Sequence, residues 1–254
     1  MASSSSPPSG NWADLPPELT SLILLRLSTV EILKNAQLVC RSWKRVCKDP
    51  WMFRKIDMRN NSIFDYDRMC RHAVDLSEGG LVEINMEHFG DDALFSYISI
   101  LRILIEEELV QIVRIRSSNL RCLRLEMSHL LTAEGFVNAF TKLPFLEDLE
   151  ILHGFLEFDL KTRIDDEALA IAETMPKLRH LELFGNRLTN SGLNTILDNC
   201  LHLEHLDLRR CFNINLSGDL KKRCSERIRD LKRPDDSTAD SPFDDTSDTD
   251  TDLI

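Results

Sequence analysis

The stretch Leu178–Cys200 reads LRHLELFGNRLTNSGLNTILDNC, and it decides the fold class. Its first six residues place leucines at the first, fourth and sixth positions, and the last two of these have a period of two. That period predicts a short strand with one buried face. Leu193, Ile196 and Leu197 then recur at helical spacing. The stretch therefore predicts one strand followed by one helix.

The same L-x-x-L-x-L pattern recurs through residues 75–216. Its copies are LVEINM (81–86, the weakest), LRCLRL (120–125), LEDLEI (146–151), LRHLEL (178–183) and LEHLDL (203–208). The intervals between first leucines are 39, 26, 32 and 25 residues, so an irregular insertion is expected near residues 99–114. One such unit cannot bury its own apolar face, but stacked units can. The pattern predicts an α/β solenoid of about five repeats, with parallel strands on a concave face and helices on a convex face.

Residues 11–58 have a different, helical pattern. Pro16 and Pro17 suit a helix start, and Ser-Thr-Val-Glu at 28–31 is a capping-box sequence for a second helix. A third helix, ended by Asp49-Pro50, is predicted from apolar residues at i, i+4 and i+7: Val39, Trp43 and Val46. The unit has more large apolar residues than a small core needs, which favours docking to a partner.

This unit resembles an F-box in its opening LPPEL (15–19), the Ile-Leu pair (23–24), LVCRSWKRV (38–46) and Trp51. With the repeats, the chain resembles plant F-box proteins with cysteine-containing leucine-rich repeats. The resemblance implies binding to a Skp-type adaptor and, through it, to the cullin and RING subunits of a ubiquitin ligase. By motif position it implies these residues on or beneath the adaptor-binding face: Leu15, Pro16, Leu19, Ile23, Leu24, Leu27, Val39, Cys40, Trp43 and Trp51. Internal packing is the alternative for several of them, including Val39 and Trp43.

The residues between the inward leucines should form the concave face, because side chains alternate along a strand. Besides Asn85 and Glu87, this face should carry a set of candidate substrate-binding residues: Arg124, Glu126, Glu150, Leu152, Glu182, Phe184, His205, Asp207 and Arg209. Acids beside exposed Leu152 and Phe184 favour a basic or mixed apolar segment of a protein substrate. The alternative is that the acids serve only solubility.

No motif for catalysis or cofactor binding was found in the chain. A glycine-rich phosphate loop, G-x-S-x-G, H-E-x-x-H and C-x-x-C are all missing. Cys200, His202, His205 and Cys211 are chemically suitable zinc ligands, but the repeat places them at a helix end, in a connection and at both ends of a strand. We therefore expect no catalytic residues, no cofactor and no metal site, and a protein that is not an enzyme.

The formal net charge is −11, and residues 235–254 contribute eight aspartates and no Lys or Arg. The other residues contain 31 Lys and Arg against 34 Asp and Glu, a balance that argues against nucleic acid as a partner. The three-helix unit does carry basic residues, but they alternate with apolar ones. The longest apolar stretch includes Arg102 and three glutamates, so no membrane span is expected.

Seven cysteines and an N-terminus without an apolar signal indicate free thiols in the nucleus or cytoplasm. The remaining segments are predicted as a disordered N-terminus (1–10), a linker (59–74), a basic C-terminal helix (217–234) and an acidic disordered tail (235–254). The basic run at 221–233 could alternatively be a nuclear import signal. The whole pattern predicts a substrate-recognition subunit of a Skp–cullin–F-box ubiquitin ligase. An interaction scaffold outside any ligase is the alternative.

Overall fold

The computed structural model of the chain describes residues 12–59, 66–87, 89–99, 119–126, 133–153 and 164–240. The expectations for residues 1–10, for all but the first position of the 99–114 insertion and for residues 241–254 lie outside this part of the chain.

Short helices form the N-terminal unit. In chain order they are a 3-10 turn (Trp12–Asp14), α1 (Pro17–Leu24), α2 (Thr29–Glu31), a π-helical turn (Ile32–Ala36), α3 (Gln37–Val39), α4 (Arg41–Val46) and a second 3-10 turn (Pro50–Phe53). Pro17 lies in the first turn of α1, as expected. The capping box is confirmed, because Ser28 Oγ accepts from the Glu31 amide at 3.2 Å and the Ser28 amide donates to Glu31 Oε2 at 2.9 Å.

The third helix differs from the prediction. Cys40 is extended, with φ −160° and ψ 172°, and it separates α3 from α4. Val39 therefore ends one helix while Trp43 and Val46 lie on the next. Cys40 Sγ caps α4 by accepting from the Trp43 amide at 3.4 Å. Residues at i and i+4 on opposite sides of this break do not lie on one face of a single helix.

In the described part of the chain, seven strands form one parallel sheet in chain order, each hydrogen-bonded to the next. They are β1 (Lys55–Met58), β2 (Glu83–Glu87), β3 (Cys122–Glu126), β4 (Asp148–Leu152), β5 (His180–Glu182), β6 (His205–Asp207) and β7 (Asp230–Lys232). The helices between them are α5 (Tyr66–Leu76), α6 (Asp92–Ser99), α7 (Ala133–Phe140), α8 (Asp166–Thr174), α9 (Asn190–Asn199) and α10 (Gly218–Arg227). The strand–helix repeat predicted from the leucine pattern is confirmed. Within the described residues, none of the helices is long and apolar enough to span a bilayer.

The leucine ladders form the core of the sheet. In β1 to β6 two positions point inward and are at most 2% exposed, the second of them directly after the last residue of β5 and of β6. They are Ile56, Ile84, Leu123, Leu149, Leu181 and Leu206, with Met58, Met86, Leu125, Ile151, Leu183 and Leu208. They belong to one hydrophobic cluster that also includes residues of the helices. Burial of apolar side chains on this scale is the main term that stabilises stacked repeats.

The N-terminal unit and the sheet share this core. Leu24, Phe53 and Ile56 are fully buried in the same cluster. Thr29 Oγ1 also accepts from the Asp57 amide at 3.0 Å, which joins α2 to β1. The helical unit is therefore built directly onto the first strand.

The sheet extends beyond the predicted repeats at both ends. β1 lies inside the segment assigned to the helical unit, and α5 begins inside the predicted linker (59–74). The basic helix predicted at 217–234 ends at Arg227, and β7 follows it. The acidic tail was predicted to be disordered throughout, but residues 235–240 form turns against the last strands. Both end strands were missed because they lack the full L-x-x-L-x-L pattern.

Candidate protein-binding surfaces

Large apolar side chains are concentrated on the surface of the N-terminal unit. Among the described residues, twelve large hydrophobic side chains are exposed, and seven belong to this unit. We call them the N-terminal apolar surface: Trp12, Leu19, Leu22, Leu25, Leu38, Val39 and Trp51. Leu38 is 75% exposed and Leu22 is 62% exposed. Such a concentration of apolar side chains is typical of a surface that another protein covers.

The structure divides the ten predicted adaptor-binding residues into three groups. Four are exposed: Pro16, Leu19, Val39 and Trp51. Five are half-buried: Leu15, Ile23, Leu27, Cys40 and Trp43. Leu24 has no exposed surface, so its side chain fills the core beneath α1 and cannot face a partner. Leu24 therefore lies beneath the face, which is one of the two placements expected for this set, and it supports α1 from below.

Four exposed residues of this surface were missed by sequence reasoning: Trp12, Leu22, Leu25 and Leu38. A signal for two of them was present, because Leu22 and Leu25 follow Leu19 at steps of three residues along α1. Leu38 is adjacent to Val39, and both precede the extended Cys40, which leaves the end of α3 open to solvent. No local pattern marks Trp12.

Trp51 is held on the surface by its neighbours. The Asp49 carboxylate accepts from the Trp51 amide at 3.0 Å and caps the turn Pro50–Phe53. The Arg54 guanidinium lies 4.4 Å from the centre of the indole ring. The ring is thus positioned while it remains 60% exposed, which suits an anchor for a partner pocket.

The second candidate surface is the side of the sheet opposite the leucine ladders, here called the polar sheet face. Strand register aligns its residues in two rows. The first row is Lys55, Glu83, Cys122, Asp148, His180, His205 and Asp230, and the second is Asp57, Asn85, Arg124, Glu150, Glu182, Asp207 and Lys232. Glu126 and Leu152 lie one step further along their strands and are half-buried. The predicted alternation of inward and outward residues is confirmed.

Acids outnumber bases at the centre of this face. Arg124 is shared by two carboxylates, with Nη1 at 3.0 Å from Glu83 Oε1 and Nε at 2.6 Å from Glu150 Oε1. Burial raises the pKa of Glu150, and the neighbouring carboxylates of Glu182 and Asp148 add to this, although Arg124 opposes it. The centre therefore holds more negative charge than its own bases neutralise.

His180 lies among these acids. Its Nε2 is 3.1 Å from Glu182 Oε1, and this hydrogen bond raises the pKa of the imidazole, to which the charges of Asp148 and Glu150 contribute. The ring stacks on that of His205 with centroids 5.4 Å apart. A half-buried histidine with a raised pKa adds positive charge to the centre at mildly acidic pH.

At the end of the sheet the predicted binding residues are engaged with one another. Phe184 was expected to be exposed, but it is 2% exposed and lies beneath the guanidinium groups of Arg209 and Arg210, at 5.8 and 5.4 Å from the ring centre. Asp207 and Arg209 are buried as well and form an ion pair of 2.7 Å. Phe184 and Asp207 offer no free side chain to a ligand, which corrects their assignment. The Arg209 guanidinium is covered by residues 237–240, through the Ser237 carbonyl and the Asp240 carboxylate.

The four candidate zinc ligands are not brought together. Cys200 ends α9, His202 is exposed in the connection, His205 is on β6, and Cys211 Sγ donates to the Leu183 carbonyl at 2.8 Å. Asp148, Glu150 and His180 do converge in the described part of the chain, with one ligand atom of each within 4.8 Å of the others. Glu150 is already paired with Arg124 and His180 with Glu182.

Four of the cysteine thiols are poor nucleophiles. Burial raises the pKa of Cys70, Cys122 and Cys211 to about 12 and that of Cys200 to about 11. Since the thiolate is the reactive form, these thiols are protonated and unreactive at neutral pH.

Known proteins are similar to this chain in both its N-terminal unit and its repeats. The F-box-like family profile matches residues 12–59. The F-box protein SKIP19 of Arabidopsis thaliana is 52% identical over 94% of this chain and 85% of its own length. Putative F-box/LRR-repeat protein 21 of the same plant is 48% identical over 92% of this chain and 84% of its own length. Putative F-box/LRR-repeat protein 22 is also 48% identical, over 89% and 78%.

Proposed function

The chain belongs to the plant F-box/LRR-repeat proteins, and from that premise we propose that it is a substrate-recognition subunit of a Skp–cullin–F-box ubiquitin ligase. The observation that carries this proposal is the N-terminal apolar surface, which lies within the part of the chain matched by the F-box-like profile.

In this proposal the N-terminal apolar surface binds a Skp-type adaptor, which links the chain to cullin and RING subunits. The side chains that would be buried on binding include Leu22, Leu38 and Trp51, each at least 60% exposed. Complete burial of a leucine or larger side chain stabilises a complex by about 1.5–3 kcal/mol, so a few such residues suffice for specific binding.

The polar sheet face binds the protein substrate. The excess of carboxylates around Glu150 and Glu182 favours a basic side chain of the substrate. Asp148 adds a further carboxylate to this excess, because its charge acts on Glu150 and raises the pKa of that residue.

The chain itself acts without chemistry of its own in this proposal. One surface holds the ligase and the other holds the substrate, so that ubiquitin transfer becomes effectively intramolecular. The raised pKa values of the cysteines agree with a role in binding. We also propose the nucleus or cytoplasm as its location, since all seven cysteines are free thiols.

Co-purification from plant cells tests the adaptor side of the proposal. We expect tagged wild type to recover a Skp-type adaptor and a cullin, and the double variant Leu22→Glu and Leu38→Glu to lose both. Phe212→Glu is the matched control, because Phe212 is 76% exposed but lies in the repeats. Full recovery of the adaptor by the double variant would contradict the proposal, and would favour a scaffold acting outside a ligase.

Charge reversal tests the substrate side. The double variant Glu150→Lys and Glu182→Lys should lose substrate proteins while it retains the adaptor. Glu173→Lys, an exposed acid on α8, is the control for the change of charge. Unchanged capture of substrates by the double variant would contradict the assignment of the polar sheet face as the substrate-binding surface.

A further inference from the structure

The segment after β7 folds back along the end of the polar sheet face. We call residues 233–240 the C-terminal strap. The Arg210 amide donates to the Pro234 carbonyl at 2.9 Å, which continues the ladder beyond β7, and Pro234 is buried. Further along, the Ser237 carbonyl accepts from Arg209 Nη1 at 3.0 Å. The strap thus passes directly over the side chain of Arg209.

Beneath the strap lies a pair of cations, Arg209 and Lys232. The Arg209 guanidinium donates to both carboxylate oxygens of Asp207, and Lys232 Nζ lies 3.6 Å from the same carboxylate. Two positive charges therefore share one buried negative charge. One positive charge therefore remains for another anion.

Asp240 of the strap supplies that anion. Its carboxylate accepts from Arg209 Nη1 and lies 3.0 Å from Lys232 Nζ. These two hydrogen bonds lower the pKa of Asp240 to about 2, although the side chain is 62% exposed. An exposed carboxylate on an irregular segment can be replaced by another carboxylate without unfolding the sheet.

We propose that the Arg209–Lys232 pair is a binding site for an acidic side chain of a protein ligand, and that Asp240 occupies it in cis as a competitor. The inference rests on the proposed function, because it assigns a second position on the substrate-binding face. Charge complementarity identifies the ligand, since Arg and Lys bind carboxylates through charge-assisted hydrogen bonds.

The spacing of the two positions defines the ligand further. Glu150 on β4 and Lys232 on β7 are in the same row and three strands apart. At about 4.8 Å per strand the separation is roughly 14 Å, which is about four residues of an extended peptide. The ligand is therefore a segment with a basic residue over β4–β5 and an acidic residue about four positions away, over β6–β7.

Fluorescence anisotropy on the full chain tests this site. The probe is a labelled peptide with the sequence of residues 235–242, DDSTADSP, at physiological ionic strength. We expect weak binding by wild type, because Asp240 occupies the site in cis. Asp240→Asn should bind the peptide about tenfold more tightly, as expected if the site is free one-tenth of the time in wild type. Adding Lys232→Ala to this variant should abolish the gain.

Two controls separate the site from general charge effects. Asp235→Asn removes an exposed tail carboxylate that makes none of the described contacts with Arg209 or Lys232, and it should bind the probe as weakly as wild type. A probe in which the residue matching Asp240 is alanine should bind Asp240→Asn several-fold more weakly than the original. Equal affinity of wild type, Asp235→Asn and Asp240→Asn for the original probe would overturn the inference.

Adaptor recovery is measured on the same variants. If probe binding is unaffected by Asp240→Asn while the adaptor is still recovered, the cation-pair site is wrong and the proposed function stands. If the double variant Leu22→Glu and Leu38→Glu loses the adaptor while Asp240→Asn gains affinity for the probe, the proposed function and the cation-pair site are both supported. If wild type does not bind the adaptor, the proposed function is wrong, whatever the result for the C-terminal strap.

Discussion

The Asp165 carboxylate caps the helix of the following repeat through Thr189. Its Oδ1 accepts from the Thr189 amide and its Oδ2 from the Thr189 hydroxyl, both at 2.6 Å. Thr189 is itself the N-cap of α9, where its Oγ1 accepts from the Ser191 amide at 3.1 Å. A Cβ on Gly192 would be 2.3 Å from Asp165 Oδ1, so glycine is needed for this approach. Neighbouring repeats are thus joined by polar contacts as well as by the leucine ladders.

Replacement of Asp165 by alanine should lower the free energy of unfolding by about 1–2 kcal/mol, the usual cost of losing a helix-capping side chain. Asp165 also has φ 73°, a conformation that alanine tolerates less well than Asp or Asn. Asp165→Asn should therefore lose less, since it retains both an acceptor and the tolerance. Urea unfolding followed by circular dichroism measures the difference, and equal stability of wild type and both variants would refute the capping role.

Two ion pairs of the same type occur at opposite ends of the sheet, and they should differ in energy. Asp207 and Arg209 are 4% and 5% exposed, whereas Asp57 and Arg59 are 37% and 53% exposed. Both pairs have a 2.7 Å contact between residues i and i+2. Burial therefore distinguishes them, together with the contacts that Lys232 and Asp240 make with the buried pair.

Asp207→Asn should destabilise the chain by about 3–5 kcal/mol, because it leaves the buried Arg209 charge with only the exposed Asp240 carboxylate as an ionic partner. Asp57→Asn should cost less than about 1 kcal/mol, since water solvates Arg59. Chemical denaturation of the two variants under one set of conditions makes the comparison. Similar losses in both would show that burial does not control the energy of these pairs.

A partly buried cluster of three polar side chains links the end of β4 to α8. His153 Nε2 is 3.2 Å from Glu167 Oε2, and the Asn186 amide donates to the same carboxylate oxygen. Burial acts against both charges, but each charge stabilises the other. The pKa of His153 is therefore raised above its ordinary 6.5, and that of Glu167 is lowered below its ordinary 4.5.

This pair gives a pH dependence of stability with a defined sign. The His153 contribution is complete below pH 6.5 and is lost as pH rises through its raised pKa. The Glu167 contribution is complete above pH 4.5 and is lost as pH falls through its lowered pKa. The stability difference between wild type and Glu167→Gln should thus be largest between about pH 4.5 and 6.5. A difference that is constant from pH 4 to 9 would contradict the pairing.

The fold was predictable where the apolar pattern of a segment shows which of its residues are buried. The leucines of the five repeats predicted five strands with their register, because a period of two directly encodes which face is buried. β1 and β7 carry only Ile56, Met58 and Leu231 as inward apolar residues, too few to form the pattern. They are identified only by pairing with a neighbouring strand.

Exposure on the polar sheet face was less predictable. Phe184 has an outward position, but Arg209 and Arg210 from the next repeat cover its ring. The strap brings Asp240 against Arg209, at a separation of 31 residues in sequence. Contacts of this kind depend on the stacking of distant segments, and a local pattern contains no information about them. Leu24 shows the same limit at the end of α1, where a buried leucine is followed directly by the exposed Leu25.

The most direct test of the account is a calorimetric titration of the purified chain with a recombinant Skp-type adaptor. We predict a one-to-one complex with a negative heat-capacity change, because apolar surface is buried. Leu22→Glu with Leu38→Glu should weaken it by about 100-fold or more, equivalent to losing two partly buried apolar anchors. Phe212→Glu should bind like wild type. Equal affinity of wild type and the double variant, or no binding by wild type, would contradict the assignment of the N-terminal apolar surface.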